Sequence, residues 1–207
     1  MKYILILIVT VMVSACEKQD VYDSGLADGR FNGSVLEYLE SGTGRWDSIV
    51  VAIRHADLAG VFNGTDPQLK DGITFFGPTN NSVRQFLYKT VDADGEILYK
   101  CIEDMPVDLC RKMVLSYVIP QKMMKSEFDF ENKGTLTGGT EVETMAGIKL
   151  RVYRIKSDFG TAADAGPVSM AFEALPSGHI VNIASADIEP DHGVIHSLVN
   201  AFDWTEL

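Results

Sequence analysis

The hydrophobic rhythm of this chain changes near its middle, and that change narrows the folds open to it. From Ser34 to about Val118 the apolar residues recur every three or four positions, the spacing of one helix face. Ser34 and Glu37 form a capping-box pair ahead of a short helix, Val35 to Glu40. Asp47 stands where it can cap a second helix running to about Leu58, with Ile49, Val50 and Ile53 on one face and Gly60 as its stop. Gly72 introduces a short strand, Ile73 to Phe76, which Pro78 ends; Thr79 or Asn80 then caps a helix that turns Val83, Phe86 and Leu87 inward. Asp92-Ala93-Asp94-Gly95 reads as a turn, and a further helix runs from about Val107 to Val118, halting before Pro120. Beyond Gly138-Gly139 the period is two. A strand is centred on Val142, and Ile148, Leu150 and Val152 alternate with Lys149, Arg151 and Tyr153 as in a half-buried strand. Val168-Met170-Phe172, Val181-Ile183 and Ile195-Ser197-Val199 supply three more. Helices first and strands afterwards predict an α+β fold rather than a repeating βαβ design.

The N-terminus belongs to a different regime. Lys2 precedes an apolar run from Tyr3 to Val13, broken only by Thr10. A helix needs about 20 such residues to cross a bilayer, so this run has the length of a signal-peptide core instead. Val13-Ser14-Ala15-Cys16 resembles the bacterial lipobox, in which the Cys sulfur receives a diacylglycerol and the chain is cut just before it. The resemblance implies a lipoprotein signal peptide over 1–15; with residues 17–33 lacking any apolar period and order beginning at Ser34, a lipidated tether over 16–33 and one folded domain over 34–207 are expected to follow. Each buried methylene contributes about 0.8 kcal/mol, so several acyl chains on Cys16 would hold the protein firmly to a membrane. An Asp after the Cys would have suggested inner-membrane retention. Glu17 stands there, so the expected location is the cell envelope at the outer membrane, periplasmic or surface-exposed.

Charge and cysteine content bound the partners. With 18 Lys+Arg against 29 Asp+Glu, net −11, the chain lacks the basic surface that nucleic-acid binding requires. The same balance repels anionic headgroups, which leaves membrane attachment to the lipid. Cys101 and Cys110 can pair in an oxidising compartment, closing a loop worth about 2–3 kcal/mol. Cys110 also falls at helical spacing with Met113, Val114 and Tyr117, where a thiol packs as a small hydrophobe. Both readings stay open.

Three segments, in order, resemble motifs of the fasciclin-like domain family. Ile73-Thr74-Phe75-Phe76-Gly77-Pro78-Thr79-Asn80-Asn81-Ser82 looks like its first motif, a strand running into a helix through Pro-Thr-Asn. Leu115-Ser116-Tyr117-Val118-Ile119 looks like its central motif, and Ala186-Asp187-Ile188 with His192-Gly193-Val194-Ile195-His196 like its second. Gly77 replaces the usual Ala, Val83 a common Phe, Val118 the central His, and His192 an Asn. The resemblance implies a wedge of β-strands with helices packed mainly from the N-terminal half, and extracellular adhesion roles. It also implies that Phe75, Pro78, Thr79, Asn80, Tyr117, Gly193 and His196 hold the structure together, His196 as a buried ring bonded to backbone near the first or central motif.

Candidate chemistry is thin. His192 and His196 have a spacing that would share a metal on a helix, but Pro190 and Gly193 favour turn and strand, which hold residues four apart roughly 13 Å from each other. Asp187, Glu189 and Asp191 read as a solvated acidic turn without a calcium-loop pattern. Neither a nucleophile elbow, a zinc-protease helix nor a phosphate loop is present. Trp204 reads as a plug that ties down the C-terminus. The expectation is therefore a binding or adhesion module for a protein or glycan partner, not an enzyme, with no metal, no cofactor and no nucleic-acid partner. The rivals are an enzyme acting on surface polysaccharide or peptide, and a structural subunit of an outer-membrane complex.

Overall fold

The computed structural model describes residues 29–42, 44–205 and 207. Cys16, the expected signal peptide and most of the expected tether lie outside the described residues. Five helices are described: α1 (Val35–Ser41), α2 (Asp47–His55), α3 (Ala59–Phe62), α4 (Asn80–Lys89) and α5 (Val107–Leu115). Eight strands accompany them: β1 (Arg30–Phe31), β2 (Ile73–Gly77), β3 (Val118–Ile119), β4 (Thr140–Glu143), β5 (Lys149–Lys156), β6 (Val168–Ala174), β7 (His179–Pro190) and β8 (Gly193–Leu198). Seven strands form one sheet in the order β3-β2-β8-β7-β6-β5-β4, and β1 joins it by pairing with β7. β2 and β8 run parallel, as do β1 and β7, while the other neighbours are antiparallel. The two ends of the strand order also meet. Met145, just past β4, donates its N–H to the Val118 carbonyl of β3 at 2.7 Å, which satisfies two edge groups and curls the sheet nearly into a barrel. The fold is mixed α+β, with helices concentrated in the N-terminal half.

One apolar core runs between helices and sheet. Trp46, Phe62, Phe75, Phe76, Tyr117, Phe128, Phe172 and Trp204 are all buried within it. Phe75 meets Phe62 edge-on at 5.0 Å, and Phe76 lies against Phe172 at 4.9 Å, so aromatic contacts join β2 to α3 and to β6.

Several local expectations are corrected. Arg30 and Phe31, expected in the tether, form a strand beside Glu189 and Pro190 of β7, so ordered structure begins ahead of Ser34. The helix expected from Asp47 to Leu58 ends at His55, and Gly60 sits inside the separate turn α3 instead of stopping α2. Asp57 adopts a left-handed conformation (φ 53°) at that break. The helix expected to reach Val118 ends at Leu115, because Val118 is drawn into pairing with Phe75. β5 is not half-buried. Leu150, Arg151, Val152 and Tyr153 are all covered, and Arg151 is accommodated by its cross-strand partner Glu173 (N–O distances of 3.0 and 2.6 Å) and by the Gly138 carbonyl. Asp187 and Glu189 lie within β7 rather than in a free acidic turn: Asp187 accepts the Lys125 N–H at 2.6 Å, and Glu189 pairs with Lys122 at 2.8 Å.

Candidate functional site

The motif residues gather around the C-terminal end of β2 and its parallel neighbour β8. Phe75 and Pro78 are buried, and Thr79 occupies the N-cap position of α4. The Thr79 hydroxyl makes no capping bond to a backbone amide of α4; it lies 3.4 Å from the Ser82 hydroxyl. Asn80 does not cap its own helix either. Its Oδ1 accepts the N–H of Ser48 in the first turn of α2 (2.8 Å), and its Nδ2 donates to Asp47 (2.9 Å). Asp47, expected as a helix cap, instead accepts from Gly44 and Asn80 and braces the loop ahead of α2. Asn80 therefore satisfies an orphan amide of another helix, which joins α4 to α2.

One departure from the motif, and one motif glycine, acquire a cause. A Cβ on Gly77 would sit 2.7 Å from the Trp46 ring, so the indole occupies the space an Ala would need. Gly193 is required for close approach, since a Cβ there would meet Val35 at 2.6 Å and the Ile73 carbonyl at 2.9 Å.

His196 is wholly buried in β8. Its Nδ1 accepts the Asp187 N–H at 3.3 Å, and Nε2, 3.2 Å from the Met123 carbonyl, carries the proton that bonds it. Val118 therefore leaves no unmet partner: the Met123 backbone serves the ring. Burial pushes the imidazole pKa down to about 4, against the raising influence of the Met123 carbonyl, so the ring is neutral at pH 7. Tyr117 is also buried and donates its hydroxyl to the Thr205 carbonyl at 2.7 Å. Burial raises its phenol above the ordinary range. His192 lies exposed in the turn before β8, on a different backbone environment from His196. Trp204 is buried edge-on against Phe86 at 5.5 Å, and its backbone N–H donates to the Ser82 carbonyl at 3.2 Å.

The Cys101–Cys110 pairing is not made: both thiols are free, Cys101 exposed and Cys110 buried. The helical reading of Cys110 accounts for this. Its sulfur faces inward, 3.6 Å from the Ala52 carbonyl of α2, while Cys101 stays at the surface ahead of a 3₁₀ turn. Burial pushes the Cys110 thiol up to about 11, an inert core group.

Periodicity did not reveal a polar cleft beside these residues. One lobe, about 230 Å³, lies among Arg45, Thr79, Asn81, Arg84 and Asn200; a second, about 160 Å³, shares Arg45, Thr79 and Asn200 and reaches Ser185 and Ser197. Asn81 and Gln85 both donate to the Asn200 carbonyl, fixing the C-terminal turn against α4. A larger cleft of about 380 Å³ lies between β7 and the C-terminal segment, but its one acid, Asp203, is already matched by Lys89.

A mixed α+β domain with a buried, hydrogen-bonded motif network and an open polar cleft is the class these features define. Among solved structures, the chain is similar to a FAS1 domain pair from the insect cell adhesion molecule fasciclin I, at 12% identity and a TM-score of 0.47. The match covers 81% of this chain and 45% of that one, so this chain spans less than half of that structure's length. No family model matches the chain, and no curated protein does.

Proposed function

We propose that this chain is a lipid-anchored binding or adhesion module of the cell envelope, at the outer membrane, presenting a fasciclin-like domain to a protein or glycan partner. The lipobox-like segment ending in Cys16 supports the anchor. The observation that carries the binding role is the open polar cleft at the α4–β8 end, where Arg45 and Arg84 are exposed and have no side-chain partner among the described residues. The residues best suited to chemistry are committed elsewhere: His196 to Met123 and Asp187, Tyr117 to Thr205. A reversible contact suits such a surface better than bond breaking does.

Both halves of the proposal are testable in intact cells. Wild-type protein should fractionate with membranes and carry acyl chains on Cys16 by mass spectrometry, while Cys16→Ala should be released and leave cell attachment to glycan-coated surfaces at the level of cells lacking the protein. Membrane retention of Cys16→Ala, with no lipid on Cys16 in the wild type, would refute the anchor. A second reading, a subunit docking a neighbouring protein, is favoured by one observation: Tyr88, Val91, Ile97 and Leu98 expose 65%, 49%, 41% and 47% of their surface on adjoining segments.

A further inference from the structure

Arginine pairing singles out one place on this molecule. The described residues include seven arginines, in a chain where acids outnumber bases by 29 to 18. Arg30 and Arg54 face Glu189 and Glu40, and Arg151 binds Glu173. Arg111 donates to the Ala56 and Asp57 carbonyls, and Arg154 stacks on Phe130. Arg45 and Arg84 alone among them have no side-chain partner among the described residues, and both are exposed. They line the same lobe of the polar cleft, and no Asp or Glu lines either lobe.

We infer that this cleft binds an acidic glycan, with Arg45 and Arg84 receiving carboxylate or sulfate groups. The inference rests on the binding-module reading and names the ligand class for it. A guanidinium matches a carboxylate or sulfate with two parallel hydrogen bonds, and two unmatched guanidiniums on a predominantly acidic protein form a local positive spot. The rest of the lining favours a saccharide over a peptide or an apolar small molecule. Thr79, Asn81, Ser185, Ser197 and Asn200 offer hydroxyls and amides, and Ala184 and Leu198 are the only apolar side chains. Small-molecule pockets are mostly apolar, whereas sugar hydroxyls pair with groups of this kind. The two lobes share Arg45, Thr79 and Asn200, so the groove runs on past a single sugar position.

The test titrates full-length protein in detergent with hexagalacturonate, maltohexaose and hexaglutamate by calorimetry. Hexagalacturonate should bind, at least tenfold more tightly than the neutral hexasaccharide or the acidic peptide, and more weakly as salt rises from 50 to 300 mM. The double variant Arg45→Gln/Arg84→Gln should lose at least tenfold in affinity with an unchanged melting temperature, since both side chains are exposed and unpaired. Lys149→Gln, on β5 and three strands away from β8, should bind as wild type. Equal affinity for maltohexaose, tighter binding of hexaglutamate, or an unaltered double variant would overturn the inference. A glycan array separates the inference from the reading beneath it. Hits confined to neutral glycans overturn the acidic class and leave the binding module standing, while the absence of any glycan or protein ligand overturns both.

Discussion

At the scale of single residues, His196 has the clearest consequence. Its folded pKa of about 4 lies below the 6.5 of an exposed imidazole, so the unfolded chain takes up a proton between those values and the folded chain does not. Stability from this residue is complete above about pH 6.5 and falls as pH drops toward 4, by up to roughly 3 kcal/mol. Urea titrations from pH 7 to 4.5 should therefore show a steeper loss for wild type than for His196→Gln, whose amide can make both backbone bonds without titrating. Identical slopes would mean that the ring is not buried neutral. The burial of His196 was legible from its motif and from its place in an apolar strand. Its partners were not, because Met123 lies 73 positions away and is reached only when β2 and β8 align.

Between elements, the useful residue is Asn80. The residue types at Thr79 and Asn80 predict a cap there, and α4 does begin at Asn80, but the side-chain bonds of Asn80 go to a different helix. Asn80→Ala should cost about 1–2 kcal/mol by chemical denaturation, the range for a lost helix cap. Thr79→Ala should cost less than half as much, because its hydroxyl caps no backbone amide. Equal losses would contradict the cross-helix role. Periodicity reads one element at a time, so it cannot show a cap offered by a residue 32 positions along the chain. The same blindness explains Arg151, which alternation assigned to a solvent face. Only the pairing of β5 with β6 places Glu173 beside it.

For the molecule as a whole, the C-terminal segment closes what the N-terminal half begins. Trp204 packs on Phe86 of α4, and the Thr205 carbonyl takes the Tyr117 hydroxyl just beyond α5. Ending the chain at Phe202 should destabilise the domain by about 3–5 kcal/mol, the range for deleting a buried aromatic side chain. Tyr117→Phe should lose only about 1 kcal/mol, the net contribution of one hydrogen bond. Melting curves of the two variants check this, and a truncated chain as stable as wild type would remove the plug role from Trp204.

The sequence by itself determined the class of this protein. Helical spacing followed by alternation determines α+β, because each period buries one face of only one kind of element. The apolar run and lipobox-like residues ahead of Cys16 support the proposed export and anchoring without reference to any fold. Tertiary structure decided what no local pattern carries: which strands are neighbours, that Cys110 faces Ala52 and not Cys101, and that Arg45 and Arg84 line one cleft whose lining holds no acid. The reason is physical. Burial preference is a property of a residue and its near neighbours, whereas a contact between distant residues exists only once the chain has closed.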